Sequence, residues 1–169
     1  MDTYLAVASK RDERRYAERE VPPELVRRIL DAGRVAGSSK NSQPWLFLVV
    51  ETPELLERLA GLVYAPENVL GAKLVVVIVT TRGRVGFDHG RAAQNMMLAA
   101  WNEGVVSCPN GVKDSDATSA LLGLEGEERP ANVLSFGYPA RPHRPEERTA
   151  ERWAERANRR PLEEVVRRL

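Results

Sequence analysis

Lys73-Leu74-Val75-Val76-Val77-Ile78-Val79-Thr80 is the stretch on which the fold turns. Its near-continuous β-branched run lacks polar alternation, so it predicts a strand covered on both faces, at the centre of a sheet. Downstream, Asp88 to about Glu103 places Ala92, Met96, Ala99 and Ala100 at helical spacing and stops at Gly104. This predicts a fully buried helix capped by Asp88. Upstream, Thr52-Pro53 opens a helix whose apolar face is Leu55, Leu56, Leu59 and Leu62, and Leu46 to Val50 reads as a buried strand. Pro23 to Val35 is a further helix, with Val26, Ile29, Leu30 and Gly33 in register.

Beyond the central helix, Asp114 or Asp116 starts a shorter helix closing at Gly123, and Val133 to Tyr138 predicts another strand. Pro139, Pro142 and Pro145 then give an extended segment, followed by a polar helix near Glu151 and an apolar end, Leu162 to Val166. The expected architecture is α/β: a central mixed sheet flanked by helices in one domain over residues 1–169, with 139–169 as a tail. Too polar for a core of its own, such a tail is expected to dock on a partner subunit.

With 169 residues and 43% hydrophobic content, the chain can bury one domain core unaided. A net charge of +1 with 29% charged residues gives no field favouring nucleic acid or an anionic membrane. Cys108, His89 and His143 are too few for a disulfide framework or a three-ligand zinc site. Tyr4 to Ala8 is too short for a secretory signal and Leu74 to Val79 too short to span a bilayer, so the expectation is a cytoplasmic protein without membrane partners.

Four segments carry polar residues that periodicity does not demand. Lys10 to Arg15 clusters guanidinium groups able to clamp a phosphate, with Asp12 to orient them, or is a solvated charge run. Gly37 to Trp45 offers hydroxyls, carboxamides and backbone amides for a polar ring edge or ribityl chain, or is a plain loop with Trp45 as a packing anchor. Ser107-Cys108-Pro109-Asn110-Gly111 is a turn either structural or shaped to aim an amide into a cleft, and Cys108 reads as a small core residue. Asn158-Arg159-Arg160-Pro161 is surface charge or the completion of a phosphate site by a crossing tail.

In this order, the segments resemble the FMN-dependent nitroreductase family over nearly the whole chain. Lys10 to Tyr16 resembles the family's opening basic motif, with Asp12 where a serine is usual, and Ser38 to Trp45 resembles the stretch that reaches the flavin from the partner, with Gly37 often a proline. Asp88 to Ala100 resembles the core helix of the dimer interface, Pro109-Asn110-Gly111 the turn facing flavin N5, Asn132 to Pro139 the late strand, and Arg159 a terminal phosphate-binding arginine. Asn68 stands where a lysine is frequent, which implies a lower flavin potential. The short connection from Thr81 to Asp88 replaces helices that cover the site in relatives, implying an open cleft.

The resemblance implies a homodimer with FMN at the interface. Lys10, Arg11, Asp12, Arg14 and Arg159 would surround the phosphate, Gly37, Ser38, Ser39 and Asn41 would reach across the interface, and Asn68, Pro109, Asn110 and Gly111 would meet the ring. Hydride would pass from NADH or NADPH to FMN and then to a nitro compound, quinone or other small organic oxidant, with no catalytic side chain. Two alternatives stay open: a flavin-dependent oxidase or dehalogenase-type relative, and a non-catalytic FMN-binding or storage protein, which Asn68 and the short cleft favour.

Overall fold

A computed structural model of the protein describes residues 1–83 and 85–169. In chain order its elements are α1 (Thr3–Ser9), α2 (Pro23–Arg34), β1 (Trp45–Val49), α3 (Pro53–Ala60), α4 (Pro66–Leu70), β2 (Leu74–Thr80), α5 (Phe87–Asn102), β3 (Val106–Asn110), α6 (Ser115–Leu122), β4 (Arg129–Gly137), α7 (Ala150–Arg156) and α8 (Leu162–Val165). They group into two compact units, Arg11–Pro142 and Met1–Lys10 with His143–Leu169.

The larger unit is built on a sheet of order β1-β2-β4-β3. As the valine run implies, β2 is buried at all seven positions. All three strand pairs are antiparallel. The mixed character expected of the sheet is confined to one parallel bridge between Asp12 and Ser107. Strand alternation sorts the core into two faces. Val76, Ile78, Leu134 and Phe136 pack with Leu25, Ile29, Met96 and Ala100 of α2 and α5. Val75, Val77, Val79 and Val133 pack with Leu59, Ala60 and Val69 of α3 and α4.

Local chemistry explains the helix ends. Thr52 Oγ1 accepts the Leu55 N–H at 3.3 Å and Pro53 takes the first turn of α3. Asp114 caps α6 through the Ala117 N–H at 2.9 Å, and Gly123 closes it in the left-handed conformation at φ 64°. Three expectations are corrected. Asp88 does not cap α5: the helix starts one residue earlier, from Gly86, whose N–H is taken by His89 Nδ1 at 3.3 Å. Nor is α5 buried all round, since Gly90, Arg91 and Gln94 are exposed. At the sheet edge, β1 is only partly covered, with Leu46 39% exposed.

The smaller unit holds α1, α7 and α8. Trp153 anchors it: buried, its Nε1 donates to Pro145 O at 2.8 Å, and the Arg148 guanidinium lies 5.0 Å from its ring centre. The segment read as a tail therefore divides, residues 139–142 belonging to the larger unit and 143–169 to the smaller.

Candidate functional site

β3 is an edge strand, and a proline within it decides which backbone groups stay open. Pro109 has no N–H to give a ladder, so it sits where backbone groups point away from β4. By alternation Ser107 and Gly111 point the same way. The Ser107 carbonyl accepts the Glu13 N–H at 3.1 Å and the Gly111 carbonyl accepts the Tyr64 N–H at 3.3 Å. This leaves the Gly111 N–H facing outward at an exposed residue. Read locally as a turn, Ser107 to Asn110 is in fact strand, paired to β4 from Val106↔Gly137 to Asn110↔Val133. The residues are turn-formers, but an outer edge that, among the described residues, meets no further strand beyond the single bridge to Asp12 tolerates them.

Behind this edge lies a buried polar network. Asn110 Nδ2 donates to Cys108 O, Val133 O and Ser135 Oγ, each at 3.1 Å, and Asn110 Oδ1 accepts from Asn68 Nδ2 at 3.1 Å. Asn110 thus spends its side chain internally and pins the end of β3. Ser135 Oγ also lies 2.9 Å from the Tyr16 hydroxyl. Burial, which disfavours the phenolate, pushes the Tyr16 phenol up to about 12.

Segment 11–16 runs alongside. The Arg14 guanidinium sits beside the Cys108 thiol, whose hydrogen bond, with Asp12 and Glu67 nearby, raises it further above its ordinary value. Arg14 and Asp12 are both exposed, so this positive group and its carboxylate neighbour line the same strand edge as Gly111. The structure therefore brings together Asp12, Arg14, Asn68, Pro109, Asn110 and Gly111, in company with Tyr64, whose ring lies 3.1 Å from where a Gly111 Cβ would stand.

Gly37, Ser38, Ser39 and Asn41 form a second cluster, anchored to α5. Ser39 N–H donates to Asp88 Oδ2 at 3.0 Å and Gln43 N–H to Ser38 Oγ at 2.8 Å. Gly37 lies against the Arg91 guanidinium, where a Cβ would come within 2.4 Å of Nη2. Buried His89 accepts the Gly86 N–H at Nδ1, so its Nε2 carries the proton and donates to Pro44 O at 2.9 Å. Lys40, Asn41 and Gln43 have φ of 51°, 52° and 47°, a costly left-handed run held by these bonds. Lys10 and Arg159 lie in the smaller unit, where Arg159 is exposed and donates to Ala157 O at 2.7 Å. Arg11 belongs to the larger unit and is half-buried.

On the α5 side of the sheet, a cavity of about 310 Å³ is lined by Ile78, Gly86, His89, Met97, Pro109 and Asn132. Asn110 and its partners face the other side, with Val133. The connection from Thr81 to Asp88 borders this cavity through Val85 and Gly86; Arg84 within it lies outside the described residues. Sequence reasoning missed Tyr16, Ser135, Tyr64 and His89. A signal existed for Ser135, a lone hydroxyl in the apolar run Val133-Leu134-Ser135-Phe136. Among the described residues no group of His, Cys, Asp and Glu is arranged to hold a metal, and no helix is long and apolar enough to cross a membrane.

An outward amide at the end of a strand whose edge also carries a guanidinium, at Cys108, offers a donor for an acceptor at a ring edge and, farther along, a charge for an anion. Comparison with known proteins gives the chain a family. The nitroreductase family profile matches residues 7–87 and 69–138. A protein of Methanothermobacter thermautotrophicus, named as a candidate NADH dehydrogenase/NAD(P)H nitroreductase, is 31% identical over 150 residues, covering 83% of this chain and 78% of its own. The crystal structure of a candidate nitroreductase from Desulfovibrio desulfuricans in complex with FMN is 27% identical, with a TM-score of 0.79, covering 98% of this chain and 96% of its own. A nitroreductase family protein from Clostridium difficile 630 shares the fold at 24% identity and a TM-score of 0.80, covering 99% of this chain and 98% of its own. The chain belongs to the nitroreductase family.

Proposed function

We propose that the protein is an FMN-dependent NAD(P)H oxidoreductase that works as a homodimer, with the cofactor between subunits. The observation that carries this reading is the outward Gly111 N–H, held by the buried Asn110 carboxamide at the end of a strand that has Arg14 beside it at Cys108. These residues suit the group: an N–H donor for an acceptor-only ring nitrogen, a guanidinium for a phosphate, and a glycine whose missing Cβ keeps the edge low under Tyr64. Bound FMN would supply hydride transfer between NADH or NADPH and a small organic oxidant such as a nitro compound or quinone.

The chain's part is to bind and orient. Arg11 and Arg14 hold the phosphate. Asp12 would repel it, but the Arg14 charge beside it offsets that carboxylate. Asn68 serves the site from behind, through Asn110. Gly37, Ser38, Ser39 and Asn41 reach the cofactor of a second copy, presenting the exposed side chains of Ser39 and Asn41. Homodimerisation is supported by the open edge of β1 and by exposed apolar side chains, Phe87 at 81% and Leu162 at 68%.

The test is an anaerobic absorbance titration of the FMN-loaded protein with NADH and with NADPH. Bleaching of the flavin band is expected with at least one donor. Bound FMN that neither donor reduces would overturn the reductase reading and favour the storage protein. Dilution to monomer is expected to release FMN, and a monomer that retains it would defeat the interface site.

A further inference from the structure

The hydroxyl of Ser135 is fully buried in β4, where alanine would pack without the cost of desolvating a polar group. Its partners explain its presence. Ser135 Oγ donates to Cys108 O at 3.2 Å, accepts from Asn110 Nδ2 at 3.1 Å and lies 2.9 Å from the Tyr16 hydroxyl. Tyr16 in turn reaches Glu13 O at 3.2 Å, and the Glu13 N–H is bonded to Ser107 O. β4 is shaped to admit this ring: a Cβ on Gly137 would stand 2.8 Å from Tyr16 Cδ1. One buried hydroxyl thus touches both the segment that carries Arg11 and Arg14 and the strand that ends just before Gly111.

We propose that Ser135 and Tyr16 are positioning residues that hold the Gly111 N–H and the Arg11–Arg14 segment in one fixed relation, so that the ring edge and the phosphate of a bound flavin are gripped as a unit. The proposal rests on the FMN reading above. Neither residue touches the cofactor. Each acts through others, Ser135 through Asn110 and Cys108, Tyr16 through the backbone at Glu13. An amide donor bonds a ring nitrogen only while that nitrogen is unprotonated, so a loosened Gly111 weakens the oxidised complex more than the reduced one.

The experiment compares Ser135→Ala and Tyr16→Phe with the wild type in three measurements: affinity for oxidised FMN, affinity for reduced FMN, and the Gly111 and Arg14 amide resonances of the cofactor-free protein. Tyr16→Phe keeps the ring and serves if Ser135→Ala fails to fold. The expected result is an affinity for oxidised FMN lowered about threefold to tenfold, the effect of one hydrogen bond, with a smaller loss for reduced FMN. Both resonances should shift without cofactor. Unchanged affinities, or equal losses in the two redox states with an unmoved Gly111 resonance, would overturn the positioning role and leave the FMN reading standing. A wild type that takes up no FMN would overturn that reading and the positioning role with it, even if Gly111 still responds to Ser135.

Discussion

Asn68 Nδ2 donates to Asn110 Oδ1 across 3.1 Å, joining two buried carboxamides 42 positions apart in the chain. Asn68 Oδ1 itself finds no partner among the described residues. The pair is therefore unequal: Asn110 is satisfied on both ends of its amide, and Asn68 bears an uncompensated acceptor.

That inequality predicts opposite sensitivities. Asn110→Ala breaks the bonds to Val133 O and Ser135 Oγ and leaves the buried Asn68 amide without its acceptor, and is expected to cost about 2–3 kcal/mol. Asn68→Leu removes one orphaned acceptor, Asn68 Oδ1, and creates another, Asn110 Oδ1, so the two changes largely offset and the cost should be smaller, about 1 kcal/mol. Urea denaturation ranks them, and a larger loss for Asn68→Leu would show that the orphan is not where the strain lies.

Two glycines that make room for neighbours should respond differently to alanine. At Gly137 the new methyl meets the Tyr16 ring at 2.8 Å, a rigid obstacle, and a loss of about 1–3 kcal/mol is expected. At Gly33 it meets Met96 Cε at 2.2 Å, the flexible end of a thioether, and Phe47 Cζ at 3.1 Å, a contact that needs only a small shift, while the helix gains up to about 1 kcal/mol in propensity. Thermal unfolding should show a drop for Gly137→Ala and little change for Gly33→Ala.

Tyr16 gives stability a pH window. Its phenol is pushed up to about 12 in the folded chain, above the ordinary value near 10, so the native state holds this proton more tightly than the unfolded state. The contribution is complete below about pH 10 and lost as pH rises through 12. The advantage of wild type over Tyr16→Phe should shrink across that interval, by at most about 2–3 kcal/mol. A difference constant from pH 9 to 12 would contradict the burial of the phenol.

The bond from Ser39 N–H to Asp88 ties the Gly37 to Trp45 loop to α5. Removing it in Asp88→Ala is expected to speed tryptic cleavage after exposed Lys40 by about fivefold, with only a small change in melting temperature. Cleavage at the wild-type rate would mean that the loop is held by its other bonds, His89 to Pro44 O and Arg82 to Ser42 O.

Much of the frame was legible in the sequence because its signals are local. The valine run could only be a strand with two covered faces, and β2 is that strand. Thr52-Pro53, Asp114 and Gly123 marked helix ends by capping and backbone chemistry that acts within three or four residues. The order of polar segments also pointed to the family that the comparisons show.

Tertiary structure decided what depends on partners distant in the chain. Whether Pro109-Asn110 is turn or strand is settled by β4, some 25 residues later, and by its place at the outer edge of the sheet. Asp88 reads as a cap but bonds Ser39 instead, because the helix begins at Phe87 and places Asp88 inside its first turn. The convergence of Tyr16, Asn68, Asn110 and Ser135 has no periodicity to betray it, since buried polar groups are placed by mutual hydrogen bonding. Sequence alone thus determined the elements and the residue types available for chemistry, through short-range propensity and hydrophobic pattern. Only the folded chain decided which of those residues face one another, because burial and hydrogen-bond satisfaction are properties of the whole packing.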